Sequence, residues 1–541
     1  MNTDTHRFRL TQEATTLAGR DPASFRSILF GDVQPGAEAD RAEAPEYFRD
    51  LNLEQIVDAI TAGREEYDLK PFFYAPLRDA AEIRYRQEVL RDLEERSVLE
   101  PIRWFGEEMR RMRALLTQAE KLYYERQKQS YFLDAADIYC VAAIRLASGL
   151  AAAGLRSRGL RGFHEYLQHY TTSAPFRELA DETAKLRAGL AGVTYSLEIE
   201  GKRIKVGRYG DEPDYGAEVL QTFEKFRQGA PKDYRFEIRA PADMNHVEAA
   251  ILDRVALLFP GVFAELEAFR EGHRGYLDAT IAEFDREAQF YLACHEHVQR
   301  FARTGLRFCY PAVTADSKEA YGRDVFDLAL ANRLLREDAR VVTNDFHLED
   351  PERIIIVSGP NQGGKTTFAR MFGQLHHLAS IGCPVPGSEA RLFLFDRLFT
   401  HFEREESIET LSSKLEEDLT RIRRILEAAT PNSILIMNES FLSTTLDDAL
   451  FLTREIMRQV VELDMLCVSV TFLDELASFS PTTVSMVSTV DPADPAMRTF
   501  RIVRRLADGL AYAIAIAEKY NLTYDGIKRR LDPEAGEGRG E

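Results

Sequence analysis

The spacing of apolar residues divides the 541-residue chain into stretches of different character. From Glu46 to about residue 190, apolar residues recur every three or four positions, which predicts a series of helices. Between Val193 and Val206, apolar and polar residues alternate around a glycine-containing turn, which predicts a β-hairpin. Helical spacing returns from Asn245 to Arg303, with a bend at Pro260. Beyond this point, short apolar runs typical of strands alternate with helical segments.

One of these apolar runs, Ile354 to Val357, ends in a glycine-rich turn that opens into a helix-compatible segment. The turn has the full G-x-x-x-x-G-K-T spacing from Gly359 to Thr366. In a phosphate-binding loop of this kind, Lys365 reaches the β- and γ-phosphate oxygens and the Thr366 hydroxyl ligates Mg²⁺. A glycine-rich turn that carries a lysine by chance is the alternative, and the order of strand, turn, Lys-Thr pair and helix argues against it. The predicted nucleotide-contacting residues are Gly359, Pro360, Asn361, Gln362, Gly363, Gly364, Lys365, Thr366 and Thr367.

The sequence of this loop, G-P-N-Q-G-G-K-T-T, resembles that of the MutS family of DNA mismatch repair ATPases, whose members usually read G-P-N-M-G-G-K-S-T. Downstream, D-R-L-F-T at residues 396–400 resembles the family's D-R-I-F-T strand. Residues 508–517 resemble its closing turn and small-residue helix. The resemblance implies ATP and Mg²⁺ as cofactors. It also implies a multidomain fold, in which an α-helical core and lever domain with a small β-rich clamp insertion precedes a P-loop α/β ATPase domain of the ABC/MutS type.

The predicted domains are a polar lead-in at 1–45, a helical core at 46–190, a clamp-like β-containing insertion at 191–243, long lever helices at 244–305, the MutS-like ATPase domain at 306–530 and a disordered tail at 531–541. The stretch ahead of the helical core is too short for the family's mismatch-reading domain and its connector. We therefore expect both to be missing from this chain.

The resemblance also identifies candidates for hydrolysis. Residues 434–439 stand at the Walker B position, where an apolar strand ends at the carboxyl edge of a parallel sheet. Glu439 is expected to orient or deprotonate the attacking water. Ser413 aligns with the family's signature serine, which approaches the γ-phosphate of the opposite subunit and so implies a homodimer with composite ATP sites; the alternative is that Ser413 only caps a helix. The catalytic candidates are Glu439, Lys365 and Ser413, and the metal candidates are Thr366 and Asn438.

Three positions depart from the family's pattern. Asn438 stands where the family has an aspartate, so the negative charge that offsets Mg²⁺ is missing. Phe472 replaces a histidine that contacts the γ-phosphate, and Val341 replaces an aromatic residue that stacks on adenine. These changes put the rate of hydrolysis in doubt and imply a weaker base contact.

Four cations cluster in the predicted hairpin of an otherwise acidic chain, namely Lys202, Arg203, Lys205 and Arg208. In the MutS family a β-rich clamp at this point closes over the DNA backbone, so the resemblance makes these residues candidates for DNA contact. A solvated hairpin face is the alternative, because four cations neutralise only a few phosphates.

Net charge, the N-terminal sequence and the cysteines limit the partners, location and metal sites to be expected. The formal net charge of −19 argues against a general nucleic-acid coat, so any DNA contact is expected to be local. The N-terminus has no signal-peptide core and no run reaches eighteen uninterrupted apolar residues, so we expect a cytoplasmic protein without a membrane segment. Five scattered cysteines predict reduced, mostly buried thiols. The segment Cys294–His297 is expected to be a solvated helix surface, not a metal site.

Two functions remain open at this point. The first is an ATP-hydrolysing, dimeric, nucleotide-gated clamp that binds duplex, mismatched or branched DNA in repair or recombination. The second is an ATP-sensing module with weak or no hydrolysis that acts on a protein partner. The basic hairpin favours the first, and the net acidity favours the second.

Overall fold

A computed structural model describes residues 25–31, 42–210, 244–403, 414–441, 443–491, 497–507, 522–524 and 527–528. The protein is a mixed helical and β-sheet structure whose internal contacts divide it into two compact units. The first unit holds the described parts of residues 1–25, 95–155 and 160–285, and the second holds those of 26–94, 156–159 and 286–541. The predicted helical core grouped residues 46–94 with the later helices, whereas the structure groups them with the second unit. The reason is packing: Tyr47 and Phe48 make edge contacts with the ring of His377.

Where the structure describes it, the first unit is helical apart from one hairpin. Its long helices bury apolar stripes against one another. Gly149 lies directly on the ring of Pro101, where an added Cβ would come within 2.9 Å, so only glycine permits this approach. Phe163 and Phe284 stack with ring centroids 3.4 Å apart. The helices that lie wholly within this unit are Arg96–Lys121, Glu125–Ala152, Ala174–Ala191, His246–Leu258 and Pro260–Gly272, while Arg158–Thr172 and Ala279–Phe301 cross the division between the units.

One helix of the described chain, Glu125–Ala152, is long and apolar enough to cross a membrane by length and composition alone. Half of its most apolar window is buried inside the protein. A buried core helix has the same composition, so this helix is weak evidence for a membrane span.

The predicted hairpin is confirmed as two antiparallel strands, β1 (Tyr195–Glu200) and β2 (Arg203–Arg208). Gly201 supplies the left-handed backbone that the turn requires, at φ 59°. The rest of the predicted insertion, residues 211–243, lies outside the described residues. The role of a clamp stays a prediction.

The predicted lever region, 244–305, contains three α-helices separated by two breaks. The break at Pro260 was predicted, and this proline occupies the first turn of its helix, where its missing N–H costs nothing. The second break, at residues 273–278, was not predicted. Asn245 begins the region with a capping box, in which its side chain and that of Glu248 each accept a backbone N–H.

The second unit is built around a six-stranded sheet. Its strand order is β10-β11-β12-β7-β13-β14, parallel throughout except for β14 at one edge. The strands of this unit are β3 (Phe308–Cys309), β4 (Ala312–Thr314), β5 (Ala320–Val325), β6 (Asn344–Leu348), β7 (Ile354–Ser358), β8 (Val385–Pro386), β9 (Glu389–Phe393), β10 (Leu398–Phe402), β11 (Ile434–Asn438), β12 (Leu466–Val470), β13 (Thr483–Val490) and β14 (Arg498–Arg504). The helices that lie wholly within it are Tyr47–Asp50, Leu53–Thr61, Lys70–Tyr74, Ala80–Asp92, Leu328–Arg336, Lys365–Ser380, Lys414–Ala428 and Leu446–Glu462.

The central strands of this sheet are buried on both faces. In β7 the four residues 354–357 are fully inaccessible to solvent, which is why the strand appears in the sequence as an uninterrupted apolar run instead of an alternation. The predicted order of strand, glycine-rich turn and helix is confirmed. Parallel neighbours β12 and β13 flank β7, so the loop that follows it emerges at the centre of the sheet's carboxyl edge.

The cysteines and the histidine cluster give one confirmation and one correction. Four of the five cysteines are buried and Cys309 is partly buried, as predicted. The segment Cys294–His297 is not a solvated helix surface, because Cys294 and His297 are both buried. The prediction failed because this part of the helix, which belongs to the second unit, is buried on more than one face. Among the described residues no group of histidine, cysteine and carboxylate side chains is arranged to hold a metal ion.

Candidate nucleotide-binding site

The glycine-rich loop has the backbone that its sequence requires. Gly359, Gln362 and Gly364 all adopt left-handed conformations, with φ of 112°, 60° and 92°. Gly359 and Gly363 both lie against Ser488 of β13, where an added Cβ on either would come within 3.1 Å of the Ser488 Cβ. The Ser488 hydroxyl donates a hydrogen bond to the Gly363 carbonyl oxygen at 2.7 Å. Strand β13 therefore holds the loop from one side.

Lys365 begins the helix Lys365–Ser380 and folds back into the loop. Its buried ammonium donates to the Gly359 and Pro360 carbonyl oxygens at 3.0 and 3.3 Å, and to Asn361 Oδ1 at 3.2 Å. Burial lowers the pKa of Lys365, and the nearby Glu439 carboxylate partly offsets this effect. The ammonium is thus held at the centre of the loop, with the helix N-terminus beside it, which is an arrangement suited to an anion.

The second half of the site is the end of β11. Thr366 donates a hydrogen bond from Oγ1 to Asn438 Oδ1 at 2.8 Å. The Glu439 carboxylate lies 3.8 Å from Lys365 Nζ. Glu439 has a left-handed backbone, φ 50°, and its N–H donates to the Val470 carbonyl oxygen. Such strain in a non-glycine residue is typical of functional turns.

The donor set at this point is compatible with Mg²⁺ in part. The Thr366 hydroxyl and the Asn438 carbonyl oxygen are both hard oxygen ligands, which Mg²⁺ prefers. Neither carries a negative charge, whereas the carboxylate of Glu439, the residue after Asn438, can supply one. The site therefore suits Mg²⁺ that is already coordinated by the phosphates of a nucleotide better than it suits Mg²⁺ alone.

Sequence patterns missed a buried polar chain behind Glu439. His401 of β10 is buried, and its Nδ1 lies 2.9 Å from the hydroxyl of Ser440, the residue after Glu439. Its Nε2 lies 3.6 Å from an Asp418 carboxylate oxygen on the helix Lys414–Ala428. Burial lowers the pKa of His401 to about 4, so the ring is neutral at physiological pH. Because these residues are far apart in sequence, no local motif revealed the chain.

The structure describes two of the three remaining residues that the sequence analysis singled out, and it adds one that was not predicted. Ser413 lies outside the described residues, so its role in a composite site stays a prediction. Phe472 follows β12 and is 47% exposed beside the sheet's carboxyl edge. Val341 precedes β6 and is half-buried. Arg498 of β14 was not predicted; its Nε donates to the Asn361 carbonyl oxygen at 3.1 Å, so this edge strand also touches the loop.

The four cations of the hairpin do not form one charged face. Lys205 is paired with Glu198 on the neighbouring strand, with Nζ 2.7 Å from the carboxylate. Arg203 stands opposite Glu200 in the strand register. Lys202 is exposed at the turn. Lys205 is therefore paired across the strands, whereas Arg203 only stands opposite a glutamate in the register.

Arg208 lies on the other face of the hairpin, because side chains of a strand alternate. Its guanidinium donates to the Leu258 carbonyl oxygen at 2.6 Å and covers the Phe259 ring at 5.0 Å from the centroid. Val206 packs in the same apolar cluster. Arg208 thus anchors the hairpin to its own unit. A DNA contact through the hairpin remains a prediction, and Lys202 and Arg203 are the residues most available for it.

A glycine-rich loop at the centre of a parallel sheet, with a second strand ending in Asn438-Glu439 beside it, defines the class of P-loop nucleotide-binding domains. Residues 355–529 match the model of MutS domain V. Over these residues the chain is similar to the MutS family.

Several MutS-type proteins are similar in sequence to this chain. The chain is 32% identical over 142 residues to the DNA mismatch repair protein MSH3 of Eremothecium gossypii, which covers 26% of this chain and 14% of that protein. It is 30% identical over 227 residues to the endonuclease MutS2 of Thermus thermophilus, 41% of this chain and 30% of the relative. It is 24% identical over 381 residues to the DNA mismatch repair protein MutS of Chlorobium limicola, 68% and 42% respectively. The chain therefore spans less than half the length of each of these three relatives.

Proposed function

We propose that this protein binds ATP with Mg²⁺ and hydrolyses it to ADP and phosphate. One observation carries the proposal: the Thr366 hydroxyl is 2.8 Å from Asn438 Oδ1 while Lys365 Nζ is 3.8 Å from the Glu439 carboxylate. The phosphate-binding and water-activating groups are thus adjacent, although 72 residues separate Thr366 and Asn438 in the chain.

Each residue has a separate role in this proposal. The loop N–H groups and Lys365 bind the β- and γ-phosphates, and Thr366 with Asn438 faces the metal. A magnesium ion held by Thr366 and Asn438 would offset the negative charge of the phosphates. Glu439 accepts a hydrogen bond from the attacking water, and His401 with Ser440 fixes the turn that carries Glu439.

We further propose that ATP turnover gates DNA binding by a homodimer in the cytoplasm. The printed names of two of the relatives, DNA mismatch repair proteins, support DNA as the partner. In this proposal Ser413 of one subunit completes the site of the other, and the exposed Lys202 and Arg203 contact the phosphate backbone. The γ-phosphate would favour one dimer state, and its loss would release that state.

A second candidate is an ATP-dependent interaction module that hydrolyses poorly and acts on a protein partner. Two observations favour it. Asn438 offers the metal a neutral oxygen in place of a carboxylate, and Phe472 cannot donate a hydrogen bond to a phosphate. The charge pairing in the hairpin also reduces the cationic surface available to DNA.

The two candidates differ in steady-state turnover. ATP hydrolysis with Mg²⁺ is measured for the protein alone and with plain, mismatched and branched duplexes, beside Glu439→Gln as the control. Turnover that one DNA form stimulates, and that the control loses, supports the DNA-gated ATPase. ATP binding without turnover under all these conditions would overturn the ATPase and favour the protein-directed module.

A further inference from the structure

The edge strand β14 carries an irregularity directly beside the phosphate loop. In the pairing of β13 with β14, Ser488 faces Ile502 while Val490 faces Arg498. A single residue of β13 therefore stands opposite three of β14, and Phe500 is the middle one of the three. Its backbone is left-handed, φ 58°, and its side chain is 49% exposed. Bulges near functional sites re-aim a side chain, and a left-handed aromatic residue persists only when its surroundings hold it.

Several hydrogen bonds hold this bulge in place. Asn344 of β6 bonds to both sides of it: its Oδ1 accepts the Ile502 N–H at 2.7 Å, and its Nδ2 donates to the Phe500 carbonyl oxygen at 3.2 Å. The Thr489 hydroxyl donates to the Arg501 carbonyl oxygen at 3.1 Å. The strained position of Phe500 is thus specified by three polar contacts and is not a frayed strand end.

The Phe500 ring lies against the loop itself. An added Cβ at Gly364, the residue before Lys365, would be 3.8 Å from both the Cα and a ring carbon of Phe500. The same strand reaches the loop a second time, through the Arg498 hydrogen bond to the Asn361 carbonyl oxygen. One face of the loop therefore has a fixed, half-exposed aromatic ring at its edge.

We propose that Phe500 is the base-contacting residue of the nucleotide site and that a purine base stacks on its ring. The inference rests on the proposed nucleotide function. A nucleotide whose β-phosphate sits in the loop extends past the loop's edge by one phosphate and the ribose, which brings the base to the neighbouring surface. An exposed aromatic face there gives stacking energy without reading base edges, and larger bases stack over more area. The chain would then not depend on the aliphatic Val341 for base contact.

The test compares ATP with inorganic tripolyphosphate, which fills the loop but has no base. Binding of both is measured by calorimetry for the full chain and for Phe500→Ala, Phe500→Trp and the matched control Phe451→Ala, which removes a 68%-exposed phenylalanine on the helix Leu446–Glu462. We expect Phe500→Ala to lower the affinity for ATP about tenfold and the affinity for tripolyphosphate less than about twofold. Phe500→Trp should retain ATP affinity, and Phe451→Ala should change neither.

Tryptophan fluorescence distinguishes direct stacking of the base on residue 500 from an indirect effect of the substitution on the conformation of the loop. The chain has one tryptophan, Trp104, whose ring lies under the Arg145 guanidinium. In the double variant Trp104→Phe with Phe500→Trp, the only indole is at position 500. ATP and GTP should quench its fluorescence more than CTP does, and tripolyphosphate should leave it unchanged.

Two results would overturn this inference and leave the proposed nucleotide function standing. In the first, Phe500→Ala binds ATP as tightly as the unmodified chain does. In the second, Phe500→Ala lowers the affinities for ATP and for tripolyphosphate equally. Fluorescence that does not respond to ATP in the double variant would have the same meaning. If the folded, unmodified chain bound neither ATP nor tripolyphosphate, the proposed nucleotide function would fall as well, so the two failures are distinguishable.

Discussion

The phosphate loop and the basic hairpin show two different relations between a sequence cluster and a site. In the loop, residues 359–366 are contiguous and their groups converge on one point, because left-handed turns curl the backbone around it. In the hairpin, four cations are almost contiguous and yet diverge. Strand alternation sends Arg208 to the opposite face from Arg203 and Lys205, and the neighbouring strand places glutamates opposite those two.

The difference teaches that residue proximity in sequence predicts a site only when the backbone conformation is specified as well. Glycines at fixed spacing specify the loop conformation, so the motif carries geometry. A cluster of lysine and arginine specifies only charge. Four tests follow, each of which would sharpen or break this contrast.

The largest effect is expected from the glycines. Gly363→Ala would place a Cβ on the Ser488 hydroxyl and within 3.0 Å of the Pro360 carbonyl oxygen, so ATP affinity should fall at least about a hundredfold. Gly201→Ala in the hairpin turn meets no atom within 4 Å and should cost about 1 kcal/mol of unfolding free energy, with ATP affinity unchanged. Calorimetric titration and denaturant unfolding measure the two effects.

A compensating change controls for general damage. Ser488→Ala in the Gly363→Ala background removes the overlapping hydroxyl and should recover part of the ATP affinity. If Gly363→Ala alone bound ATP normally, the loop would not depend on this packing, and the contrast with the hairpin would fail.

The two regions should also differ in acid sensitivity. His377, on the helix that follows the loop, is fully buried between the Phe73 carbonyl oxygen at 2.9 Å and the Tyr47 hydroxyl at 3.1 Å. Burial lowers its pKa from the ordinary 6.5 to about 4. As pH falls, the unfolded chain takes up the proton first. The stabilisation is therefore complete above pH 6.5 and is lost between pH 6.5 and 4, by up to about 3 kcal/mol for this group.

Chemical denaturation at pH 7.5, 6 and 5 tests this expectation, with His377→Gln as the matched variant. The glutamine variant should be less stable at pH 7.5 but show a shallower loss on acidification. The hairpin, residues 195–208, contains no histidine and should contribute no such dependence. Parallel pH profiles for the variant and the unmodified chain would contradict the assignment.

A smaller effect is expected at Asn438, where the site departs from the pattern of the MutS family that it resembles. Asn438→Asp keeps the oxygen that accepts the Thr366 hydroxyl and adds a negative charge for Mg²⁺. Magnesium-dependent ATP turnover should rise about tenfold, with half-saturation at lower Mg²⁺. The kinetics are measured across a magnesium titration, beside Asn438→Ala. Unchanged turnover in the aspartate variant would show that charge at this position does not limit the reaction.

The smallest effect is expected in the hairpin. The double variant Lys202→Ala with Arg203→Ala should weaken duplex DNA binding about three- to tenfold and reduce the slope of log affinity against log salt by about two. Lys205→Ala should change affinity less than about twofold, because its ammonium already bonds to Glu198. Fluorescence anisotropy at several salt concentrations measures both. Equal losses from the two variants would mean that the four cations act as one face after all.

Much of the fold was predictable from local patterns. The run at 354–357 and the hairpin at 195–208 were both recognisable, because an uninterrupted apolar run or apolar alternation reflects burial directly. The packing of residues 46–94 was not predictable. An amphipathic helix specifies that it buries one face but not which partner covers that face.

The sequence by itself determined the phosphate loop, since its glycines and the Lys-Thr pair set both conformation and chemistry over a few adjacent residues. Only the tertiary structure decided what surrounds the loop. Ser488 and Phe500 lie more than a hundred residues from it in the chain and meet it because β13 pairs beside β7 and β14 pairs beside β13. It also decided that the hairpin's cations are divided between two faces. Local conformation follows from covalent and short-range sterics, whereas such long-range contacts depend on how strands are ordered in a sheet.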